Sequence, residues 1–247
     1  MKNLKYYILL GFISIIQLGY SQTKKTVDAF DSAEISPHIQ VTFIEGTEES
    51  VTIEESKVSE DKINIKVKGK TLQVYLEDAK NVTKTETVNR DGKDMKAPIY
   101  KGKILTITVT YKNLKELIIK GEESTLFKSP IKVESFDLKI YGESKIIFNE
   151  VDFNEFDLDT YGESSLEIKK GSINNQKIRA YGEGEINLFA VENRTTKITA
   201  YGESKFKINA SNNIKITAYG EAELQYKGNA SLEKGITIGD VDISKVD

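Results

Sequence analysis

The sequence predicts an all-β protein. An N-terminal β-sheet or sandwich-like region continues into a single-stranded β-solenoid (β-helix) of about five to six coils, each of about 20 residues. Three observations carry this. Tyr-Gly-Glu recurs at Tyr141, Tyr161, Tyr181, Tyr201 and Tyr219, at spacings of 20, 20, 20 and 18. Each copy lies inside a long apolar–polar alternation, the mark of a strand with one buried face. Each alternation carries Gly and then a small residue at its centre, where a strand bends or another backbone approaches closely.

Residues 1–21 read as a secretory signal peptide. Lys2 and Lys5 form a positive start, Tyr6–Leu18 is apolar over thirteen residues, and Gly19-Tyr20-Ser21 is a small-x-small cleavage signal. Thirteen residues are too few to span a bilayer. The mature chain is therefore expected to be exported, to the periplasm, the outer membrane or the outside, with no membrane span. Loss of Lys2 and Lys5 takes the net charge from -3 to -5.

Residues 22–116 form the N-terminal β-sheet region. Ile39, Val41 and Phe43 alternate, as do Val51 with Ile53, and Ile63, Ile65 and Val67. Leu72, Val74 and Leu76 follow, then Leu105, Ile107 and Val109. Such short strands at roughly ten-residue intervals read as a sheet or sandwich. The polar stretch between Leu76 and Ile104 reads as a long exposed hairpin tip or mobile loop.

Residues 117–228 form the repeat solenoid. In the first full copy Leu138, Ile140, Gly142, Ser144, Ile146 and Phe148 share one parity. Lys120-Gly121-Glu122 fills the same slot one period earlier, at a spacing of 21. Each strand is expected to break at Gly-Glu-Ser into two strands meeting at a corner. A polar turn, a short apolar pair such as Val151 and Phe153, and a second turn complete the coil. Hairpin repeats would carry Asn-Gly or Asp-Gly turns, but Asp91-Gly92 is the only such pair and lies outside the array. Residues 229–247 read as a charged C-terminal cap, since a solenoid end left bare invites edge-to-edge pairing.

Composition removes much chemistry. There is no Cys and no Trp, and the one His is His38. Disulfides, thiol nucleophiles and zinc sites with two His ligands are excluded. The balance of 35 basic and 38 acidic side chains points to no nucleic-acid partner. No catalytic residue and no metal site is assigned. His38, beside Pro37, reads as a turn or strand residue. Asp31-Ser32-Ala33 matches a short bacterial O-glycosylation acceptor, with an exposed turn as the plainer reading.

Together these features resemble the putative auto-transporter adhesin, head GIN domain family, a family of secreted bacterial proteins of unknown function. The matching residues are Ile39 to Gly46, Val51-Thr52-Ile53, the strand start Gly69-Lys70-Thr71-Leu72, and Leu105 to Leu117 leading into Gly121 and the Gly-x-Ser coils. The resemblance spans nearly the whole mature chain. It implies an adhesin-like interaction role at the cell envelope and brings no catalytic residues with it.

If the coils are in register, Tyr141, Tyr161, Tyr181, Tyr201 and Tyr219 form one exposed row. Glu143, Glu163, Glu183, Glu203 and Glu221 form another beside it. Carboxylates about 4.8 Å apart repel by about 1 kcal/mol in water and about 3.5 kcal/mol at an effective dielectric of 20. Lys145 and Lys205 or bound cations would relieve this, and weak calcium binding is one expectation. Tyrosine offers an apolar ring with a polar tip, and carboxylates accept hydroxyl hydrogen bonds. The two rows are thus the candidate ligand face, for a glycan or a surface protein. The alternatives are a β-helix polysaccharide lyase or glycoside hydrolase, and a purely structural envelope protein. The sequence leaves the oligomeric state open.

Overall fold

The computed structural model describes residues 22–246; the expected signal peptide lies outside the described residues. The first strands are β1 (Thr23–Thr26), β2 (Ser32–Ile35), β3 (Ile39–Glu45) and β4 (Ser50–Ser56). A single 3-10 turn at Glu60–Lys62 leads into β5 (Ile63–Lys68) and β6 (Thr71–Leu76). Then come β7 (Thr85–Arg90), β8 (Lys93–Pro98), β9 (Leu105–Tyr111), β10 (Glu116–Lys120) and β11 (Thr125–Phe127). The repeats form β12 (Ile131–Tyr141), β13 (Lys145–Phe148), β14 (Val151–Tyr161), β15 (Ser164–Ile168), β16 (Gly171–Tyr181) and β17 (Gly184–Lys227). The last strands are β18 (Ser231–Ile238) and β19 (Val241–Lys245). No helix among the described residues is long and apolar enough to cross a membrane.

The repeat array is a parallel β-solenoid. Strand β12 stacks on β14, β14 on β16, and β16 on β17, each residue opposite its counterpart one repeat on. Leu138, Leu158, Ile178 and Ile198 lie in one such column, all buried. A second ladder past the corner runs β11, β13, β15, β17. Residues 131–133, 151–153 and 171–173 build a third face. The second turn expected in each coil, which after Val151 and Phe153 falls at Asn154-Glu155, is a bend within β14 rather than a break: Phe153 and Phe156 are both buried, so the alternation shifts phase while the ladder continues.

The ladder extends into the first half of the chain. Strand β2 pairs in parallel with β10 on one side and β6 on the other. Strand β3 likewise lies between β11 and β9. So β2–β3 is a coil in its own right, held between coils formed later in the sequence. Antiparallel strands finish this end: β5 on β6, and β4 then β1 on β9. The polar stretch after Leu76 contains an exposed two-stranded hairpin, β7–β8. Its tip is Asp91-Gly92, both with positive φ, as a primed hairpin turn requires.

The core is one continuous apolar cluster from Phe30 to Leu224. Its middle is a stack of Phe43, Phe127 and Phe148, with centroid spacings of 4.7 and 4.1 Å and near-parallel rings. At the C-terminal end β18 and β19 add a last coil on β17. Ser32, in the suggested glycosylation acceptor, is neither on a turn nor free. It is buried in β2, and its hydroxyl donates to Glu116 Oε2 at 3.2 Å.

Candidate functional site

The Tyr-Gly-Glu corner is built by backbone constraint. Gly162 and Gly182 take φ of 113° and 121°, which L side chains rarely adopt. A Cβ on either would lie 2.7 Å from the carbonyl oxygen of the glycine one coil back. Close stacking of identical coils therefore demands glycine here. The small residue two places on faces inward. Ser144 donates its hydroxyl to Gly121 O at 2.7 Å, and Ser204 donates to Gly182 O at 3.3 Å. Each of these carbonyls also accepts a backbone N–H from the next coil, Glu143 N at 3.1 Å and Glu203 N at 3.1 Å, so the serine adds a second bond that ties successive corners together.

The residue before the glycine points outward, so register places the five tyrosines over one another. Successive ring centroids from Tyr141 to Tyr219 are 4.8, 4.9, 4.9 and 4.9 Å apart, with planes within 8° of parallel. The spacing is that of β-strands in a sheet, so the rings form an offset stack set by the backbone. Tyr141, Tyr161 and Tyr201 remain 38–40% exposed. Partial burial, and then the charge of Asp159, pushes the Tyr161 hydroxyl up from its ordinary value. Its phenol stays neutral and able to donate. Asp159 is held by the Arg179 guanidinium, whose Nη2 lies 2.9 Å from Oδ2.

The five glutamates Glu143, Glu163, Glu183, Glu203 and Glu221 are all exposed beyond the corner. Four of them, all but Glu143, line an open groove of about 580 Å³. Ser164, Gly184, Ser204 and Ala222 lie along it, and Glu185, Lys205 and Glu223 line it too. Asp240 and Asp242, read from sequence only as part of a charged cap, close its C-terminal end. Lys145 and Lys205, expected to relieve the row, make no ion pair among the described residues. The ion pair found beside it is Lys207 with Glu185, at 3.0 Å. Among the described residues no group of three or more His, Cys, Asp or Glu stands close enough to hold a metal ion.

His38 occupies the turn between β2 and β3, in the left-handed region at φ 71°. Its Nδ1 meets Gly102 O at 2.8 Å, so Nδ1 carries the hydrogen, and Nε2 meets the Thr83 hydroxyl at 2.5 Å. The ring ties the segment after β6 to the first coils. No sequence pattern marks that role, because Thr83 and Gly102 are distant in the chain.

A family model described as putative auto-transporter adhesin, head GIN domain, matches residues 29–230. The fold is similar to that of a putative adhesin from Bacteroides fragilis, with TM-score 0.75 and 15% identity, over 91% of this chain and 96% of that one. It is also similar to a putative adhesin from Parabacteroides merdae, with TM-score 0.66 and 18% identity, over 92% and 96%. A third similar structure is a putative lipid binding protein from Parabacteroides distasonis, with TM-score 0.62 and 17% identity, over 92% and 96%. Curated proteins give no match.

Proposed function

We propose a glycan-binding role for this chain, which belongs to the auto-transporter adhesin head GIN domain family. Membership supports an adhesin-like interaction role. The finer reading is that an extended glycan lies along the tyrosine column and the acidic groove beside it. The observation that carries this is the exposed, parallel stack of Tyr141 to Tyr219 flanked by four groove-lining glutamates. The stacked rings cover one another's faces and turn their edges and hydroxyls outward, so sugar hydroxyls can bond the phenol oxygens and donate to the carboxylates beside them. The rigid ladder presents both without an ordering cost on the protein side.

The role is non-enzymatic. The glutamates repeat one environment, exposed and alike. Glycoside cleavage needs two carboxyl groups made different by their surroundings. The protein works outside the cytoplasm, as the sequence of residues 1–21 suggests.

The test is a glycan array with the mature chain, beside a variant carrying Glu163→Gln and Glu183→Gln. Retention of specific oligosaccharides, lost in the variant and with no released product, is the expected result. Equal retention by the variant, or turnover of a bound glycan, overturns the reading.

A further inference from the structure

The tyrosine column ends at Tyr141. One side of its ring stacks on Tyr161. On the other side the residue in register is Lys120, not a tyrosine. The Lys120 ammonium is drawn off by Glu34 Oε1 at 2.5 Å and Asn81 Oδ1 at 2.7 Å. Beside Tyr141 lies a cavity of about 670 Å³, within the size range of small-molecule sites.

The cavity is bordered by the segment between β6 and β7. Val82 lines it and is 79% exposed, an apolar side chain left to solvent. The segment is fixed rather than loose: Ser36 Oγ donates to Lys80 O at 2.7 Å, and Thr83 is bound to His38. Opposite stands Glu123, within the coil whose spacing to the next is 21 instead of 20. Its side chain is only 9% exposed. Its Oε2 accepts from the backbone N–H of His38 at 2.8 Å and of Glu122 at 3.2 Å. Its Oε1 lies 3.8 Å from His38 Nδ1.

An aromatic face, an apolar wall and carboxylate acceptors suit a ring with one C–H face and hydroxyl donors at its rim. Three carboxylates line the cavity, Glu34, Glu122 and Glu123, and its one ammonium is already paired. Anionic sugars and phosphates would meet repulsion. We propose that this cavity takes the terminal neutral pyranose of a glycan, stacked on Tyr141 as the next ring of the column. The proposal rests on the glycan reading of the Tyr–Glu face and names where the bound chain ends.

The test is saturation-transfer NMR on the mature chain with neutral methyl pyranosides and, for contrast, methyl glucuronide. The neutral sugars should bind. Tyr141→Ala should weaken them about tenfold, the worth of one aromatic contact. Val82→Asp, at an exposed position that does not support the fold, should weaken them too. Met95→Ala, on the exposed β7–β8 hairpin and outside both the column and the cavity, should not. Unchanged affinity in both Tyr141→Ala and Val82→Asp, or preference for the glucuronide, overturns the proposal. Oligosaccharides retained on the array with no monosaccharide signal overturn the cavity alone and leave the face reading standing. Monosaccharide signal lost in Tyr141→Ala, with no oligosaccharide retained, supports the cavity and overturns the face reading.

Discussion

Tyr161 and Tyr181 lie face to face, their ring centroids 4.9 Å apart and their planes 2° from parallel. Both rings sit on the outside of the coil, so the stack covers little core. Its worth comes from ring–ring contact and cross-strand pairing. Tyr181→Ala removes two such contacts and should cost about 2 kcal/mol. Tyr181→Phe keeps both rings in place and should be nearly neutral. Urea unfolding of the two variants checks this, and equal losses would place the stability in the hydroxyl instead.

The corner glycines differ in what they tolerate. Gly182 has a φ of 121°, and a Cβ there would meet Gly162 O at 2.7 Å. Gly184, two residues on, has no such φ, and its nearest neighbour would be at 3.5 Å. Gly182→Ala should therefore destabilise by about 3 kcal/mol or more, through strain and displaced backbone. Gly184→Ala should change stability by less than about 1 kcal/mol. Thermal unfolding of the pair decides, and similar melting temperatures would contradict the steric account.

Phe127 is fully buried between Phe43 and Phe148, at the join between the first coils and the repeats. Phe127→Ala opens a cavity that flanking strands cannot collapse, since their spacing is set by hydrogen bonds. A loss of about 3–5 kcal/mol is expected from denaturant unfolding. A loss near 1 kcal/mol would mean that the coils re-pack there.

Asp137 supplies a pH test. Burial, and then the charges of Asp157 and Glu116, hold its carboxyl above the ordinary value, while Lys139 and Arg179 act the other way. The folded chain thus keeps this proton more tightly than the unfolded one. The contribution to stability is full below the unfolded carboxyl pKa, about 3.9, and is lost as pH rises through the raised folded value. Asp137→Asn should raise the melting temperature at pH 7 by about 1–3 °C and leave it unchanged at pH 3. A lower melting temperature at pH 7 would show that Asp137 is stabilised by its cations.

The repeat was legible because each of its rules is local. Alternation marks which residues of β14 are buried, and the 20-residue interval marks where the next copy lies. Once strands are parallel and in register, identical residues must stack, so the Tyr and Glu rows follow from the sequence alone. The strands β3, β4, β5, β6 and β9 were visible for the same reason.

Partnership between distant strands was not legible. Ser32 sits opposite Glu116 and Thr71 at once, and nothing in the short segment Ser32–Ile35 names those partners. His38, Thr83 and Glu123 meet only because β2–β3 is inserted between coils made later in the chain. The same long-range closure brings Val82 to the end of the tyrosine column, whereas Asp240 reaches the groove in the coil that follows Glu221. Period and parity are properties of neighbours along the chain, and the sequence determined them. Which coil lies against which depends on burying one shared core across many residues of separation, and only the tertiary structure decided that.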